Sequence, residues 1–348
     1  TFERFLSISF LQSVMAESSD LLNYINKLYI LDETISKLVI KRNWVDSSSY
    51  LRKFLHIVVS GSIVEGGAIC RSLVCHHPQI EIDLMNIRGE ISQEDAFLIL
   101  DDVKSWTGFY RLRKTRELES SLNFHSFYWD DPKEKYFNVR GRQKIKRHLV
   151  RPSWGSTHTI EGPSNASSYF HGEMEFQRDK VEAIGLKYWP LFTRDWFSKP
   201  RYWPSFQVML EVLENGCHLV QKTPPGPCCE EWVVTFSPED NCQIVKKLLP
   251  SIEHNEWRIS FSVAEKILSR EKSPFQKKCF LLGKCLYYEF MKVEIDEKTK
   301  RTLPSYLIKT VMLQMLEETP EFQWNSYEKG NAFLQVVTEL YKRLQRWL

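Results

Sequence analysis

The chain has 348 residues, of which 43% are hydrophobic and 13% aromatic, and these proportions suit a globular protein with one or two packed domains. Its 47 basic and 44 acidic residues nearly balance, which excludes binding of nucleic acid through overall charge and leaves only a local patch for that role. Eight cysteines, no apolar signal segment at the start and no long apolar run predict a reducing, cytoplasmic setting without a membrane span.

The first part of the chain has the spacing of helices. Apolar residues recur every three or four positions from Leu21 to Val39, which predicts a long opening helix. After the polar segment Asp46-Ser47-Ser48-Ser49, a second helix is predicted to run into Val58.

The pattern then changes twice. From about residue 57 to 190 the apolar segments are short and rich in β-formers, with polar connectors, which predicts a mixed sheet with few helices. Beyond Trp189-Pro190 helical spacing dominates. The sequence therefore predicts a spine helix and sheet domain over 1–190 and a mainly helical lobe over 191–348.

The segment QIEIDLM, residues 79–85, alternates apolar and polar residues, so as a strand it projects Glu81 and Asp83 from one face. Two neighbouring carboxylates repel each other unless a cation lies between them, and hard oxygen ligands of this kind suit Mg²⁺ or Mn²⁺. The alternative interpretation is the solvated face of an edge strand.

Gly61 and Ser62 lie about twenty residues upstream, at the end of an apolar segment. A glycine lets backbone N–H groups approach an anion closely, and a serine adds a hydroxyl donor, so such turns commonly hold phosphates. A Gly-Ser pair alone is a weak signal. A Gly-Ser turn followed by an acidic strand, however, is the arrangement found in nucleotidyltransferases.

Four segments together resemble the Mab-21 family, which includes cyclic GMP–AMP synthase and the animal cGAS-like receptors. They are GSIVEGG (61–67), EIDLM (81–85), WRISFSVAEK (257–266) and PSYLIKT (304–310), and the resemblance runs from about residue 30 to the C-terminus. It implies an α+β, bilobed nucleotidyltransferase with a mixed β-sheet catalytic core, a long N-terminal spine helix and a helical C-terminal lobe.

The implied reaction joins ATP and GTP into a cyclic dinucleotide with two Mg²⁺ ions, and this chemistry needs three carboxylates. The family precedent favours a mixed guanine–adenine product, with a 2′–5′ bond preferred, and uracil-containing products are the alternative. Glu81 and Asp83 match the first two carboxylates. Shortly before Trp189-Pro190, Glu182 fits the third best, and Glu175 and Asp179 are the alternatives.

The resemblance also assigns nucleotide binding to side chains of the second lobe, in addition to Gly61 and Ser62. These are Arg258, Ser260, Ser262, Glu265, Lys284, Ser305 and Tyr306. Arg258, Ser260 and Ser262 alternate, so a strand would present them on one face to bases or phosphates. Lys284 is the expected triphosphate ligand, Tyr306 would stack on a base, and Ser305 would donate beside it. Each of these residues also has a purely structural alternative. The three alternating residues could form an ordinary polar strand face, Lys284 could be an exposed helix lysine, and Tyr306 could belong to the core.

Residues 271–277 occupy the place where cyclic GMP–AMP synthase carries a zinc-binding insertion, and they have no such ligands. We therefore expect no structural zinc and a closer likeness to receptors that sense double-stranded RNA or another trigger, such as another nucleic acid. An oligomer that forms on binding of the ligand is compatible with this resemblance. A candidate phosphate-binding patch consists of Lys37, Lys41, Arg42, Arg140, Arg142, Lys144, Lys146 and Arg147. A solvated basic face is the alternative for this patch. For the whole chain, the alternatives are a non-catalytic Mab-21 scaffold and a template-independent RNA polymerase.

Overall fold

The structure, a computed structural model, describes most of the chain. The described residues are 23, 25–37, 56–68, 79–102, 107–113, 157–161, 164–171, 174–221, 228–235, 243–250, 256–288, 294–296, 301–302, 305–330 and 332–347. Of the predicted basic patch, all members except Lys37 lie outside these residues: Lys41, Arg42, Arg140, Arg142, Lys144, Lys146 and Arg147.

The secondary structure runs from a helix through a sheet to a set of helices. The elements are α1 (25–37), β1 (His56–Ser60), α2 (Ser62–Glu65), β2 (Gln79–Ile91), α3 (Gln93–Ile99), β3 (Leu100–Asp102), β4 (Phe109–Leu112), β5 (Thr157–Glu161), β6 (Ser164–His171), β7 (Met174–Leu186), a 3₁₀ turn (Leu191–Thr193), α4 (Arg194–Ser198), α5 (Phe206–Asn215), β8 (Cys217–Gln221), β9 (Cys228–Thr235), β10 (Gln243–Pro250), β11 (Glu256–Ser260), α6 (Ser262–Glu271), α7 (Pro274–Leu286), β12 (Glu294–Asp296), β13 (Arg301–Thr302), α8 (Tyr306–Glu318), α9 (Glu321–Lys329) and α10 (Phe333–Trp347).

A sheet of nine described strands organises the fold, in the order β1-β2-β7-β8-β11-β4-β3, with β6 beside the first half of β7 and β5 beside β6. Strands β2 and β7 are parallel and the other neighbours are antiparallel, so the mixed sheet predicted from the sequence is confirmed. Strands β8 and β11 come from beyond residue 190, so the sheet extends past the domain boundary predicted from the sequence.

Strand β1 corrects one prediction. The sequence predicts a helix that runs into Val58, but His56–Ser60 is a strand that pairs antiparallel with β2 and sets Ser60 opposite Asp83. The reason is the β-branched run Ile57-Val58-Val59, which favours the pleated, half-buried environment beside β2 over a helix.

Two large hydrophobic clusters hold the described part of the chain. One lies along the sheet and includes Ile184, Leu219 and Trp257, all of which are fully buried. The other joins α1 and helices α5 to α10. Trp189 packs against both clusters, so the segment after β7 connects the sheet to the helices. Within the described residues, no helix has both the length and the apolarity that a bilayer span requires.

Candidate active site

Three carboxylates meet on one face of the sheet. Glu81 and Asp83 alternate along β2, and Asp179 on β7 is directly opposite Asp83 in the parallel register. One oxygen from each of the three side chains lies within 4.8 Å of the others, and all three residues are partly buried. Side chains at paired positions of neighbouring strands project from the same face, which explains the cluster. Three carboxylate oxygens at this spacing fit a hard divalent cation such as Mg²⁺ or Mn²⁺.

The structure does not bring Glu182 to this cluster. Its carboxylate forms a two-pronged ion pair with Arg88, in which Arg88 Nη2 lies 2.7 Å from Glu182 Oε1 and Nε contacts Oε2. Glu182 pairs with Asn86 in the register, an odd number of residues from Asp179, so its side chain projects from the opposite face of the sheet. We therefore replace Glu182 by Asp179 as the third candidate ligand.

Asp83 has an unusual electrostatic environment. Burial raises the pKa of this carboxyl to about 7, and the neighbouring charges of Glu81, Asp179 and Glu65 add to the effect. Without a cation, the site is thus too rich in negative charge to hold all of its carboxylates ionised at neutral pH. A bound divalent cation would reverse this balance by compensating the charge.

The raised pKa of Asp83 predicts a pH-dependent stability for the metal-free protein. The folded-state pKa of about 7 lies above the ordinary value of 3.8, so between these values the native state holds a proton that the unfolded chain has released. The free energy of unfolding should therefore fall as the pH rises through this window. Mg²⁺ competes with that proton, so it should raise the melting temperature more at about pH 8 than at about pH 6. Thermal melts of wild type and Asp83→Asn in EDTA or Mg²⁺ measure this, and an equal pH slope in both proteins would contradict it.

The Gly61-Ser62 turn lies against the carboxylates. Gly61 has φ 72° and ψ −158°, a region that is essentially restricted to glycine. A Cβ at this position would stand 1.7 Å from Asp83 Oδ2, so only glycine lets the backbone and this carboxylate come so close. Ser62 begins α2, and its hydroxyl accepts a hydrogen bond of 2.7 Å from Lys284 Nζ. Lys284 is 5% exposed and therefore differs from the exposed helix lysine that the sequence alternative describes.

The WRISFS segment is divided between a strand and a helix. Strand β11 ends at Ser260, and Ser262 is the first residue of α6, so Arg258, Ser260 and Ser262 do not share one strand face. Arg258 is exposed and Ser260 is buried. The hydroxyls of Ser260 and Ser262 still lie 2.9 Å apart, because the turn into the helix brings them together.

A second cluster connects Tyr306 to the turn. Tyr306 is 51% exposed, and its hydroxyl donates a 3.0 Å hydrogen bond to Glu265 Oε1. Burial and the Glu265 charge raise the pKa of Tyr306 to about 12. Lys309 Nζ lies 2.7 Å from Glu265 Oε2, 2.9 Å from Glu65 Oε2 and 4.8 Å from the centre of the Tyr306 ring. Burial opposes the charge on Lys309, but the two carboxylates prevail and raise its pKa. Ser305 precedes α8 and is half-buried.

Sequence reasoning missed Glu65 and Lys309, although both lie inside the motifs GSIVEGG and PSYLIKT. An acidic residue three positions after Ser62 and a basic residue three positions after Tyr306 share a helix face with those residues, which was the available signal. Of the predicted basic patch, the described member Lys37 is exposed and pairs with Glu33 at 3.3 Å.

A partly buried cluster of three carboxylates on neighbouring strands, beside a Gly-Ser turn, is typical of metal-dependent nucleotidyltransferases. A family model, described as the Mab-21 protein nucleotidyltransferase domain, matches residues 142–268. The matched segment contains Asp179, Arg258 and Glu265, whereas Glu81 and Asp83 precede it. No curated protein matches the chain. The family match supports a nucleotidyltransferase-like function.

Proposed function

We propose that this protein is a metal-dependent nucleotidyltransferase that joins ATP and GTP into a cyclic dinucleotide. The observation that carries the proposal is the convergence of Glu81, Asp83 and Asp179 on one point, where Asp83 packs so closely on Gly61 that no side chain fits at that position. When bound there, divalent cations supply charge compensation for a triphosphate and activation of a ribose hydroxyl. The three carboxylates would hold such ions, and their partial burial limits competition from water.

The remaining residues of the site bind and orient the substrates. The Gly61-Ser62 turn offers N–H and hydroxyl donors to phosphate oxygens, and Lys284 supplies positive charge beside Ser62. The half-exposed ring of Tyr306 is available for stacking on a base, and the hydrogen bond to Glu265 fixes its orientation. The exposed Arg258 is long enough to contact the edge of a base or a phosphate.

The finer features of the proposal rest on the resemblance to cGAS-like receptors. They are a 2′–5′-linked guanine–adenine product, activation by double-stranded RNA, a cytoplasmic location, and an oligomer compatible with the activated state. Lys37, with the basic residues outside the described part of the chain, is the candidate contact to RNA phosphates.

Product analysis tests the proposal. The protein is incubated with Mg²⁺ and the four labelled nucleotides, with and without double-stranded RNA, and the products are identified by mass spectrometry. We expect a cyclic dinucleotide from ATP and GTP that Asp83→Asn abolishes and that Asp195→Asn, an exposed carboxylate on α4, leaves unchanged.

Two other results would reject the proposal. An elongated RNA without a cyclic product would identify a template-independent polymerase with the same metal chemistry. Nucleotide binding without any product, across a panel of nucleotides and nucleic-acid triggers, would identify a non-catalytic scaffold.

A further inference from the structure

Three lysines converge on the short helix α2 from three different places in the helical part of the chain; Lys272 and Lys284 are buried and Lys309 is partly buried. Lys272 follows α6, Lys284 lies in α7 and Lys309 lies in α8. Lys284 Nζ donates to the Ser62 hydroxyl at one end of α2, and Lys309 Nζ pairs with the Glu65 carboxylate at the other end. Lys272 Nζ donates to the Glu65 backbone carbonyl at 2.9 Å. Helix α2 is thus held at both of its ends.

Lys272 differs from the other two lysines because its partner is the backbone. The last carbonyls of a helix have no partner within the helix, and Lys272 satisfies the one on Glu65. Its side chain is 5% exposed, and the ammonium lies 4.3 Å from the centre of the Phe280 ring. Burial lowers the pKa of Lys272 to about 7, although the charge of Glu65 acts in the opposite direction. Burying an ammonium group is costly unless it has partners, and here the Glu65 carbonyl and the Phe280 ring are those partners.

We propose that Lys272 is a positioning residue that fixes α2, and with it the Gly61-Ser62 turn, against the helices that carry Lys284 and Tyr306. The inference rests on the proposed function in one respect: the turn is taken to hold the phosphates while Tyr306 receives the base. A nucleotide must then bridge the sheet and the helices, and the distance between its two binding sites depends on how α2 is held. Lys272 helps to set that distance, together with Lys284 and Lys309, and forms none of the described hydrogen bonds to Glu81, Asp83 or Asp179.

Hydrogen exchange of the α2 amides tests the role of Lys272. The amides of Val64 and Glu65 both donate to the Gly61 carbonyl at 3.1 Å, so their exchange reports the closure of the turn. Lys272→Met keeps the apolar stem and removes the donor, and it should accelerate exchange of these amides by about tenfold, the effect of one lost hydrogen bond to a charged group. Amides of β7 should exchange as in wild type. Lys266→Met removes a partly buried lysine of α6 that takes part in none of the described hydrogen bonds to α2, so it is the matched control and should leave all of these rates unchanged.

A conservative variant separates the hydrogen bond from simple packing. A cavity of only about 10 Å³, lined by Lys272, Lys309 and Met312 among others, adjoins the side chain, so a guanidinium group must displace its neighbours slightly. Lys272→Arg keeps a donor that reaches the Glu65 carbonyl, so exchange of the Val64 and Glu65 amides should stay closer to wild type than in Lys272→Met. If Lys272→Met does not fold, Lys272→Gln replaces it, because its shorter side chain does not reach that carbonyl.

The outcomes decide between the alternatives. Unchanged exchange at Val64 and Glu65 in the folded Met or Gln variant would overturn the proposal, and so would equal acceleration in β7, which indicates a general loss of stability. If the wild-type protein is active, Lys272→Met should lower kcat/KM for ATP about tenfold, and the Mg²⁺-induced rise in melting temperature should persist in this variant. The exchange measurement needs no activity, so a wild-type protein that makes no product would overturn the proposed function and still leave the exchange data to decide on Lys272.

Discussion

Asp179→Asn is expected to reduce product formation at least 100-fold, whereas Glu182→Gln is expected to keep it within about tenfold of wild type. Replacing groups that merely orient metal ligands already costs about 10- to 100-fold in affinity or activity, and removing a ligand's charge should cost more. Asp179 lies in the carboxylate cluster, while Glu182 binds Arg88 on the other face of the sheet. The initial rate of product formation and the affinity for Mn²⁺, measured by electron paramagnetic resonance, check both variants.

Glu182→Gln also has an expected effect of its own. The Arg88 side chain is only 8% exposed, so weakening its ion pair should lower the free energy of unfolding by roughly 1–3 kcal/mol. Thermal melts at several Mg²⁺ concentrations separate this loss from metal binding, because the Mg²⁺-induced shift should survive in Glu182→Gln and vanish in Asp179→Asn. If the Mg²⁺-induced shift instead vanishes in Glu182→Gln and survives in Asp179→Asn, Glu182 and not Asp179 is the third ligand.

Gly61→Ala should abolish metal binding as well as activity. The new methyl group would overlap Asp83 Oδ2, and the backbone at φ 72° adds strain of about 1–3 kcal/mol. Either the turn or the carboxylate must move, and both belong to the site. We expect product below detection and no Mg²⁺-induced change in melting temperature.

Gly108→Ala provides the matched control for this variant. Gly108 also has a positive φ, of 83°, but a methyl group there would meet the Phe192 ring at an ordinary 3.7 Å. It should lower the melting temperature through backbone strain and leave the Mg²⁺ response intact. If Gly61→Ala and Gly108→Ala respond to Mg²⁺ alike, the close packing of Gly61 on Asp83 has no role in metal binding.

The sequence allows part of the site to be predicted because strand periodicity is local. The alternation in QIEIDLM was sufficient to predict that Glu81 and Asp83 share a face, and the structure confirms this. The third carboxylate depends on the register between β2 and β7, which no local pattern contains. A choice guided by distance from Trp189-Pro190 missed by three residues, and an odd shift on a strand moves the side chain to the opposite face.

The helical part was predictable in outline but not in its polar details. Strand β8 is five residues long, and a short apolar run of that length does not distinguish a strand from a buried helical segment. The burial of Lys272 and Lys284 depends on distant partners such as Glu65 and Ser62. Lysines are almost always exposed unless paired, so the sequence alone favours the wrong environment for them.

The parallel pairing of β2 with β7 has a consequence for folding. Asp83 and Asp179 become neighbours only after roughly a hundred residues of chain have closed into a loop, and such distant pairings are slow to form. We therefore expect the edge of β2 that faces β7 to stay unpaired until β7 has been synthesised, which exposes it to pairing with another molecule. The cation site needs both strands, so we expect it to form only after they have paired.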